Sequence, residues 1–497
     1  MKHLKVKLWG QEIGRLAWDS TTRRIYFTHN PDLSNIPDIA PLQSPLKNRN
    51  NILPLYGDER PIYQGLPPFI ADSLPDAWGN MLFDKWVKDN KIPRNKVTPL
   101  YKLMFIGTRG MGALEYEPYA EDLTHTRKID IKSLYDISLR ILEDRDNIVL
   151  NINDELTLQS LLAVGTSAGG RQMKAIIAIN EATGEIRSGQ TDDLEGFDYY
   201  ILKFGDKSIP IAEIETAYYR MAVDAGIEME KCQLLPIDGT NHFLTKRFDR
   251  RNGKKIHMQT LAAMNPEARS YEDLIATCRE LFLSESEIEQ LFGRMVFNVM
   301  TNNTDDHNKN FAFLLEEYGQ WRLAPAYDIT FIFNIYGTGP NTDRRLSIGG
   351  KTSDITKADL LEFAKLNGIK NVNAMIGRVA DVIKDFDRYA TESGIVQPWR
   401  SIIHNTLNEN LTKFGYPDKD NYDGTSFTDR FGRCFDNLSF SVNSKGYIEV
   451  SVFINGKRHK KFIRPNMEIY PDLMKQNLSN LPPEYKIRLI ETLFTIE

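Results

Sequence analysis

The side chains best suited to chemistry are concentrated in one run of nine: Asn302-Asn303-Thr304-Asp305-Asp306-His307-Asn308-Lys309-Asn310. The run lies between a long apolar helical pattern and the strand-like Phe311-Ala312-Phe313-Leu314-Leu315. Phosphoryl transfer needs a carboxylate to orient the attacking hydroxyl and an amide oxygen to hold a metal beside the phosphates. In protein kinases the two stand five residues apart on one loop. Asp305 and Asn310 have that separation. Asp328, expected at the end of a later strand, is a candidate second metal ligand in the role of the kinase D-F-G aspartate. Mg2+ takes carboxylate and amide oxygens together with phosphate and water, so one Asp and one Asn suffice. Asp306, the immediate neighbour, is expected to tolerate change.

Other chemistries fit the run less well. Asp306-x-Asn308-x-Asn310 with Glu317 has calcium-loop spacing, but Phe311 stands where the turn glycine belongs. A zinc site needs more His or Cys than His307 alone supplies. The plain alternative is a polar helix end and loop.

Two further stretches could meet phosphate. Gly165-Thr166-Ser167-Ala168-Gly169-Gly170 is small enough for backbone N–H groups to approach an anion closely. Its glycine spacing is that of a P-loop, but Arg171-Gln172 replaces the Lys-Ser/Thr pair such a loop needs. Lys203 is a lone charge in the apolar strand pattern Tyr200-Ile201-Leu202-Lys203-Phe204. It is either an edge lysine pointing to water or a phosphate contact paired with a helix glutamate, for which Glu215 is the choice. Lys246-Arg247-Phe248-Asp249 ends another strand pattern and could carry an adenine.

These residues need elements to hold them. Alternating residues over 3–30 predict a hairpin and a third strand. A helix should start near Pro75-Asp76 and run through Trp86. Strands are expected over 174–179, 199–204 and 243–248. Helices are expected over 211–225, with Gly226 as cap, and over 288–300, leading into the polar run. More helices follow over 357–411. The tail alternates like strands over 438–463 and closes with a helix carrying Tyr485, Leu489 and Leu493. Its basic run Lys457-Arg458-His459-Lys460-Lys461 fits a solvated edge strand.

Composition sets bounds. A chain of 497 residues with 41% hydrophobic content can build several cores, about three domains' worth. A net charge of -5 argues against a surface that coats nucleic acid. The three cysteines are far apart, without a CxxC, which suits a reducing cytoplasm. No apolar run reaches about 20 residues, so neither a membrane span nor a leader is expected.

With these motifs in this order, the chain resembles the HipA family of bacterial toxin kinases over residues 3–390. The resemblance rests on Leu74-Pro75-Asp76-Ala77-Trp78-Gly79, on Ile106-Gly107-Thr108-Arg109-Gly110-Met111-Gly112-Ala113-Leu114 and on Ser167-Ala168-Gly169-Gly170. It rests also on Thr304-Asp305-Asp306-His307-Asn308-Lys309-Asn310, which matches the family's T-D-x-H-x-K-N, and on Ala324-Pro325-Ala326-Tyr327-Asp328-Ile329. The resemblance implies an α+β, protein-kinase-like (phosphatidylinositol-kinase-related) core with an N-terminal α+β subdomain and a small β-rich C-terminal extension.

The division expected is 1–120 for the N-terminal subdomain, 121–155 for a helical connector, 156–250 for the ATP-binding part, 251–400 for the catalytic part and 401–497 for an extension of unassigned role. By resemblance Asp305 is the catalytic base, and Asn310 and Asp328 hold Mg2+. Lys203, Glu215, His307 and Lys309 belong to the ATP site, Arg247 and Phe248 to the adenine pocket, and residues 165–170 (Thr166, Ser167, Ala168, Gly169 and Gly170 among them) to the phosphate loop. Ser167, with Thr166 beside it, is the autophosphorylation site; about two added charges there would repel the ATP-bound conformation. Residues 256–261 lack carboxylates the family carries there, so no role transfers to them.

The expected function is a cytoplasmic bacterial serine/threonine kinase, the toxin of a toxin–antitoxin pair linked to persistence. It would phosphorylate a translation component such as an aminoacyl-tRNA synthetase. A helix-turn-helix, HipB-like antitoxin would bind it and place it on operator DNA. A catalytically silent module bridging antitoxin and DNA, and a small-molecule kinase on the same fold, are the alternatives.

Overall fold

The computed structural model describes residues 3–30, 36–43, 55–120, 129–143, 161–162, 172–189, 194–317, 319–334, 337, 339–416, 426–428, 434–442, 446–454, 457–465, 467 and 493–494. The glycine-rich stretch, with Thr166, Ser167, Ala168, Gly169 and Gly170, lies outside them, as does nearly all of the expected final helix.

The N-terminal part is a sheet with helices on it. Strands β1 (His3–Leu8), β2 (Gln11–Asp19), β3 (Arg24–His29) and β4 (Leu55–Tyr56) precede helices α1 (Pro68–Ala71), α2 (Ala77–Asp89) and α3 (Pro99–Ile106), and β5 (Leu114–Glu117) returns to the sheet. The strand order is β4-β3-β2-β1-β5. Trp9 and Gly10 both have positive φ, as a tight hairpin turn requires. Asp76 caps α2, its side chain accepting from the Gly79 N–H, so Pro75 stands just outside the helix. Helix α4 (Ile131–Glu143) falls in the stretch expected as a charged connector. It buries Ile131, Leu134, Tyr135, Ile137 and Ile141 in the same core as the N-terminal sheet.

A second sheet holds β6 (Lys174–Asn180), β7 (Glu185–Ser188), β8 (Asp198–Lys203), β9 (Cys232–Ile237) and β10 (Thr240–Lys246), in the order β7-β6-β8-β10-β9. Strand β8 is the middle one, which rules out an edge position for Lys203. Helix α5 (Ile211–Asp224) follows β8. Residues of β6 and β8, including Ala175, Ile177 and Leu202, share a core with the N-terminal sheet and helices, whereas α5 buries Ile214, Tyr218 and Met221 against the later helices. The second sheet is therefore covered by the N-terminal part.

After a short hairpin of β11 (Arg250–Arg251) and β12 (Lys254–Lys255) comes β13 (His257–Thr260), then α6 (Leu261–Met264), α7 (Tyr271–Glu280) and α8 (Glu285–Met300). Helix α8 begins three residues before its apolar stripe, because Ser284 and Glu287 form a capping box that a hydrophobic pattern does not reveal. Strand β14 (Ala312–Leu315) pairs with β13 on one side and β15 (Arg322–Leu323) on the other, and helices α9 (Lys357–Leu366), α10 (Val372–Lys384), α11 (Phe386–Ser393) and α12 (Trp399–Lys413) complete the helical part. Last come β16 (Ser426–Thr428), β17 (Cys434–Val442), β18 (Ile448–Ile454) and β19 (Lys457–Ile463), paired in sequence order. The basic run is β19, an outer strand, with Lys460 paired to Glu449. No helix among the described residues is long and apolar enough to cross a membrane.

Candidate active site

Lys203 ends the central strand β8, in register with Lys174 of β6 on one side and Phe243 of β10 on the other. Its Nζ lies 2.5 Å from Glu215 Oε1 on α5 and also donates to Asp328 Oδ1. The side chains of Lys203 and Glu215 are only 11% and 8% exposed, so the ammonium survives burial by having two carboxylate partners. Burial works against the Lys203 charge, but Asp328 and Glu215 outweigh it and hold the ammonium well above its ordinary pKa. Burial raises the Glu215 carboxyl, against the pull of Lys203. At Asp328 burial is outweighed by Lys203 and Lys174, which keep that carboxyl low and ionised. Asp328 is not on a strand end: β15 stops at Leu323, and Asp328 stands in irregular chain with φ +53°. Left-handed backbone at a non-glycine residue is uncommon, and Asp is among the few that adopt it readily.

The 302–310 loop is built by its own polar side chains. Asn302, with φ +61°, turns the chain off α8 and donates from its amide to the Ile332 carbonyl at 3.1 Å. The Asn303 amide bonds Asn298 Oδ1 at 2.9 Å. Asn310 Nδ2 reaches back to the Asp305 carbonyl at 2.9 Å and closes the loop. The Tyr327 hydroxyl donates to the Lys309 carbonyl at 2.6 Å, tying the loop to the stretch that carries Asp328.

The two aspartates of the loop point into different surroundings. Asp305 is 45% exposed in its side chain, with Arg345 Nε at 3.3 Å and His307 Nε2 at 3.9 Å. Asp306 is enclosed. It accepts from the Tyr271 hydroxyl at 2.7 Å, from Arg344 Nη1 at 2.6 Å and from the Arg345 N–H at 3.0 Å. The expectation that Asp306 would tolerate change is therefore corrected, because it anchors the loop to α7 and to the segment after Asp328. The same commitment removes it from any calcium ligand set.

A cleft of about 180 Å³ brings Lys203, Glu215, Asp328, His307, Lys309 and Asn310 to one surface. Arg247 and Phe248 line the same cleft. The Arg247 guanidinium is tied down, donating from Nε and Nη2 to Asp249 at 2.8 and 2.7 Å. Burial opposes the Asp249 charge, but Arg247 and Arg250 bring that carboxyl down to about 2. Arg247 thus lines the cleft with its guanidinium held by Asp249, while Phe248 lies against the Tyr327 ring, centroids 5.6 Å apart. Asp305 is not part of the cleft wall and sits beside it, on the exposed side of the loop.

Sequence reasoning did not single out Asp72, the side chain of Asp76, Lys174, Arg344 or Arg345. Lys174 carried the same signal as Lys203, a lysine against the apolar run Ala175-Ile176-Ile177. Asp72 and Arg344 carried none, since their partners are distant in the chain.

The chain has an α+β, kinase-like fold whose central lysine is buried between two carboxylates. Residues 4–117 match the HipA N-terminal domain and residues 166–390 the HipA-like C-terminal domain. The two matches together span more than half of the chain, which belongs to the HipA family. A chain of the Shewanella oneidensis toxin–antitoxin complex of HipA, HipB and operator DNA shares the fold at a TM-score of 0.55 and 16% identity, over 82% of this chain and 96% of that one. The Helicobacter pylori proinflammatory kinase CtkA aligns over 44% of this chain and 88% of its own at 12% identity; its TM-score of 0.32 carries no argument. In sequence, a Haemophilus influenzae protein named Putative kinase is 26% identical over 200 residues, 36% of this chain and 56% of that protein. This chain thus spans little more than half of that relative's length.

Proposed function

We propose that this protein is an ATP-dependent serine/threonine protein kinase acting as the toxin of a bacterial toxin–antitoxin pair. The observation that carries the reading is Lys203, buried between Glu215 and Asp328 in a cleft that also receives Asn310. A lysine held this way has its charge preserved and its position set, as phosphate binding requires. Lys203 would meet the ATP phosphates, and the 246–248 backbone with Phe248 would take the adenine. The donor set fits Mg2+: Asp328 is an ionised carboxylate, and Asn310 supplies an amide oxygen beside it in the same cleft. When bound, Mg2+ neutralises charge on the phosphates.

Asp305 would orient the attacking hydroxyl and accept its proton. Its exposure leaves it open to a protein substrate, and Asp306 holds it in place from below. His307 and Lys309 would border the phosphates. Residues 165–170 would close over them, with Ser167 or Thr166 as the site of self-phosphorylation. In this proposal 156–250 bind ATP, 251–400 carry catalysis, and 1–120 and 401–497 flank them.

Membership of the HipA family, and the fold shared with a chain of a HipA–HipB–operator complex, support a helix-turn-helix antitoxin as partner, with operator DNA engaged through it. The substrate we propose is a translation component, such as an aminoacyl-tRNA synthetase, in the bacterial cytoplasm. Incubation of the purified protein with labelled ATP and Mg2+ tests the reading. The wild type should label itself, and Asp305→Ala should not; equal labelling of both would overturn it.

A further inference from the structure

One short segment of the N-terminal part reaches both walls of the cleft. Residues 72–76 join α1 to α2 and carry two carboxylates, Asp72 and Asp76, both of which line the cleft. Asp72 accepts from the Thr260 N–H and from the Thr260 hydroxyl, each at 2.7 Å. Thr260 is where β13 turns into α6, and α6 is bonded to the catalytic loop: the Ala262 N–H donates to the Asn308 carbonyl at 3.0 Å. The Lys309 charge also acts on Asp72, opposing the upward push that burial gives its carboxyl. Asp72 therefore grips the catalytic-loop wall.

Asp76 grips the other wall. Its Oδ1 caps α2 at Gly79 N, 2.7 Å away, and its Oδ2 takes Lys174 Nζ at 2.9 Å. The Lys174 and Asp76 side chains are 3% and 11% exposed. Trp78 Nε1, from the second residue of α2, donates to the Lys174 carbonyl at 3.0 Å, a second fastening on the same residue. Lys174 and Lys203 are paired across β6 and β8, so two buried ammonium groups stand on neighbouring strands. Asp76 neutralises one of them, which leaves Glu215 and Asp328 to the other. Lys174 already pulls on both of those carboxyls. Without Asp76 it would compete with Lys203 for Asp328.

We propose that residues 72–76 are a clasp of the nucleotide site: Asp76 and Asp72 set the spacing of its two walls, and Asp76 keeps Lys174 from drawing Asp328 away from Lys203. The N-terminal part is then a positioning element for catalysis. This rests on the nucleotide reading above, and the test separates the two.

The measurement is KM for ATP, kcat and nucleotide Kd, with thermal melting, on the full chain. Asp76→Asn keeps an N-cap side chain and removes the charge. It should raise KM and Kd for ATP about tenfold or more, with the melting temperature nearly unchanged, because misplaced binding groups cost binding and rate steeply. Adding Lys174→Met removes the competitor and should recover most of the loss, an outcome that a merely structural role for Asp76 would not produce. Asp89→Asn, which breaks the exposed pair with Lys85 on the same helix, is the control and should leave KM unchanged. Should Asp76→Asn fail to fold, Asp76→Ser, another good cap, takes its place. Unchanged KM in the Asp76 variant, or a loss that Lys174→Met does not recover, overturns the clasp alone. A folded wild type that binds no ATP overturns both the clasp and the nucleotide reading.

Discussion

At the mouth of the 302–310 loop, Asp305 keeps 45% of its side chain exposed and meets Arg345 at 3.3 Å. On the floor, one residue later, Asp306 has no exposed side-chain surface and holds Arg344 at 2.6 Å. The two carboxylates differ in what they can give up. Asp305 has water on one side and an exposed ion pair on the other, and such pairs are worth little to stability. Asp306 is a buried charge whose partners would be stranded without it, and that is costly. The loop leaves one carboxylate open to solvent and is held by burying the next one.

Four changes break or sharpen this comparison. The largest effect is expected at the mouth. Asp305→Ala should lower the phosphotransfer rate by about a thousandfold, about 4 kcal/mol of barrier, as loss of a general base does. Its melting temperature should stay close to that of the wild type in calorimetry. At the floor the pattern should reverse. Asp306→Ala should lose about 3 kcal/mol of stability in denaturant unfolding, because the buried Arg344 guanidinium and Tyr271 hydroxyl lose their carboxylate acceptor. An Asp306 variant as stable as the wild type would refute the anchoring role.

The third change concerns pH. Burial pushes His257 down to about 3 from its ordinary 6.5. Below about pH 6.5 the unfolded chain therefore takes up a proton that the folded chain refuses. Over the single pH unit from about 5.5 to about 4.5 stability should fall by about 1.3 kcal/mol from this one group. His257→Gln should flatten that slope, leaving the smaller contribution of His242, which burial pushes down to about 4. A slope unchanged in the variant would remove His257 from the account. The smallest effect belongs to the mouth again: Arg345→Ala should change stability by less than about 1 kcal/mol, since its side chain is 65% exposed.

The two outer sheets offer a second contrast. The N-terminal sheet shares its core with β6 and β8, and the segment between α1 and α2 beside it brings Asp72 and Asp76 to the cleft. The last sheet lies at the other end of the chain, its edge strand β19 carrying the exposed His459, Lys460 and Lys461. Of the described residues that line the cleft, none comes from this sheet.

The groups the structure gathers at the candidate cleft, Lys203, Glu215, Asn310 and Asp328, were legible along the chain where their signals are local. Asp305 and Asn310 sit on one loop, so their spacing is a property of the sequence. Lys203 stood out because a charge in an apolar strand requires a partner, and the alternation over 3–30 displayed the first sheet. Other features depend on residues far apart in number. Asp306 looked like a spare copy of Asp305 until folding set it against Tyr271 and Arg344, residues 35 and 38 positions away. Lys174 found its partner 98 residues upstream, and Arg247, which lines the cleft, has its guanidinium fastened to Asp249. The order and spacing of the chemical groups belong to the chain itself, since a motif needs only covalent neighbours. Burial and charge pairing needed the tertiary structure: they depend on which distant surfaces exclude water together, and they decide which of two adjacent aspartates stays open to solvent and which one is enclosed.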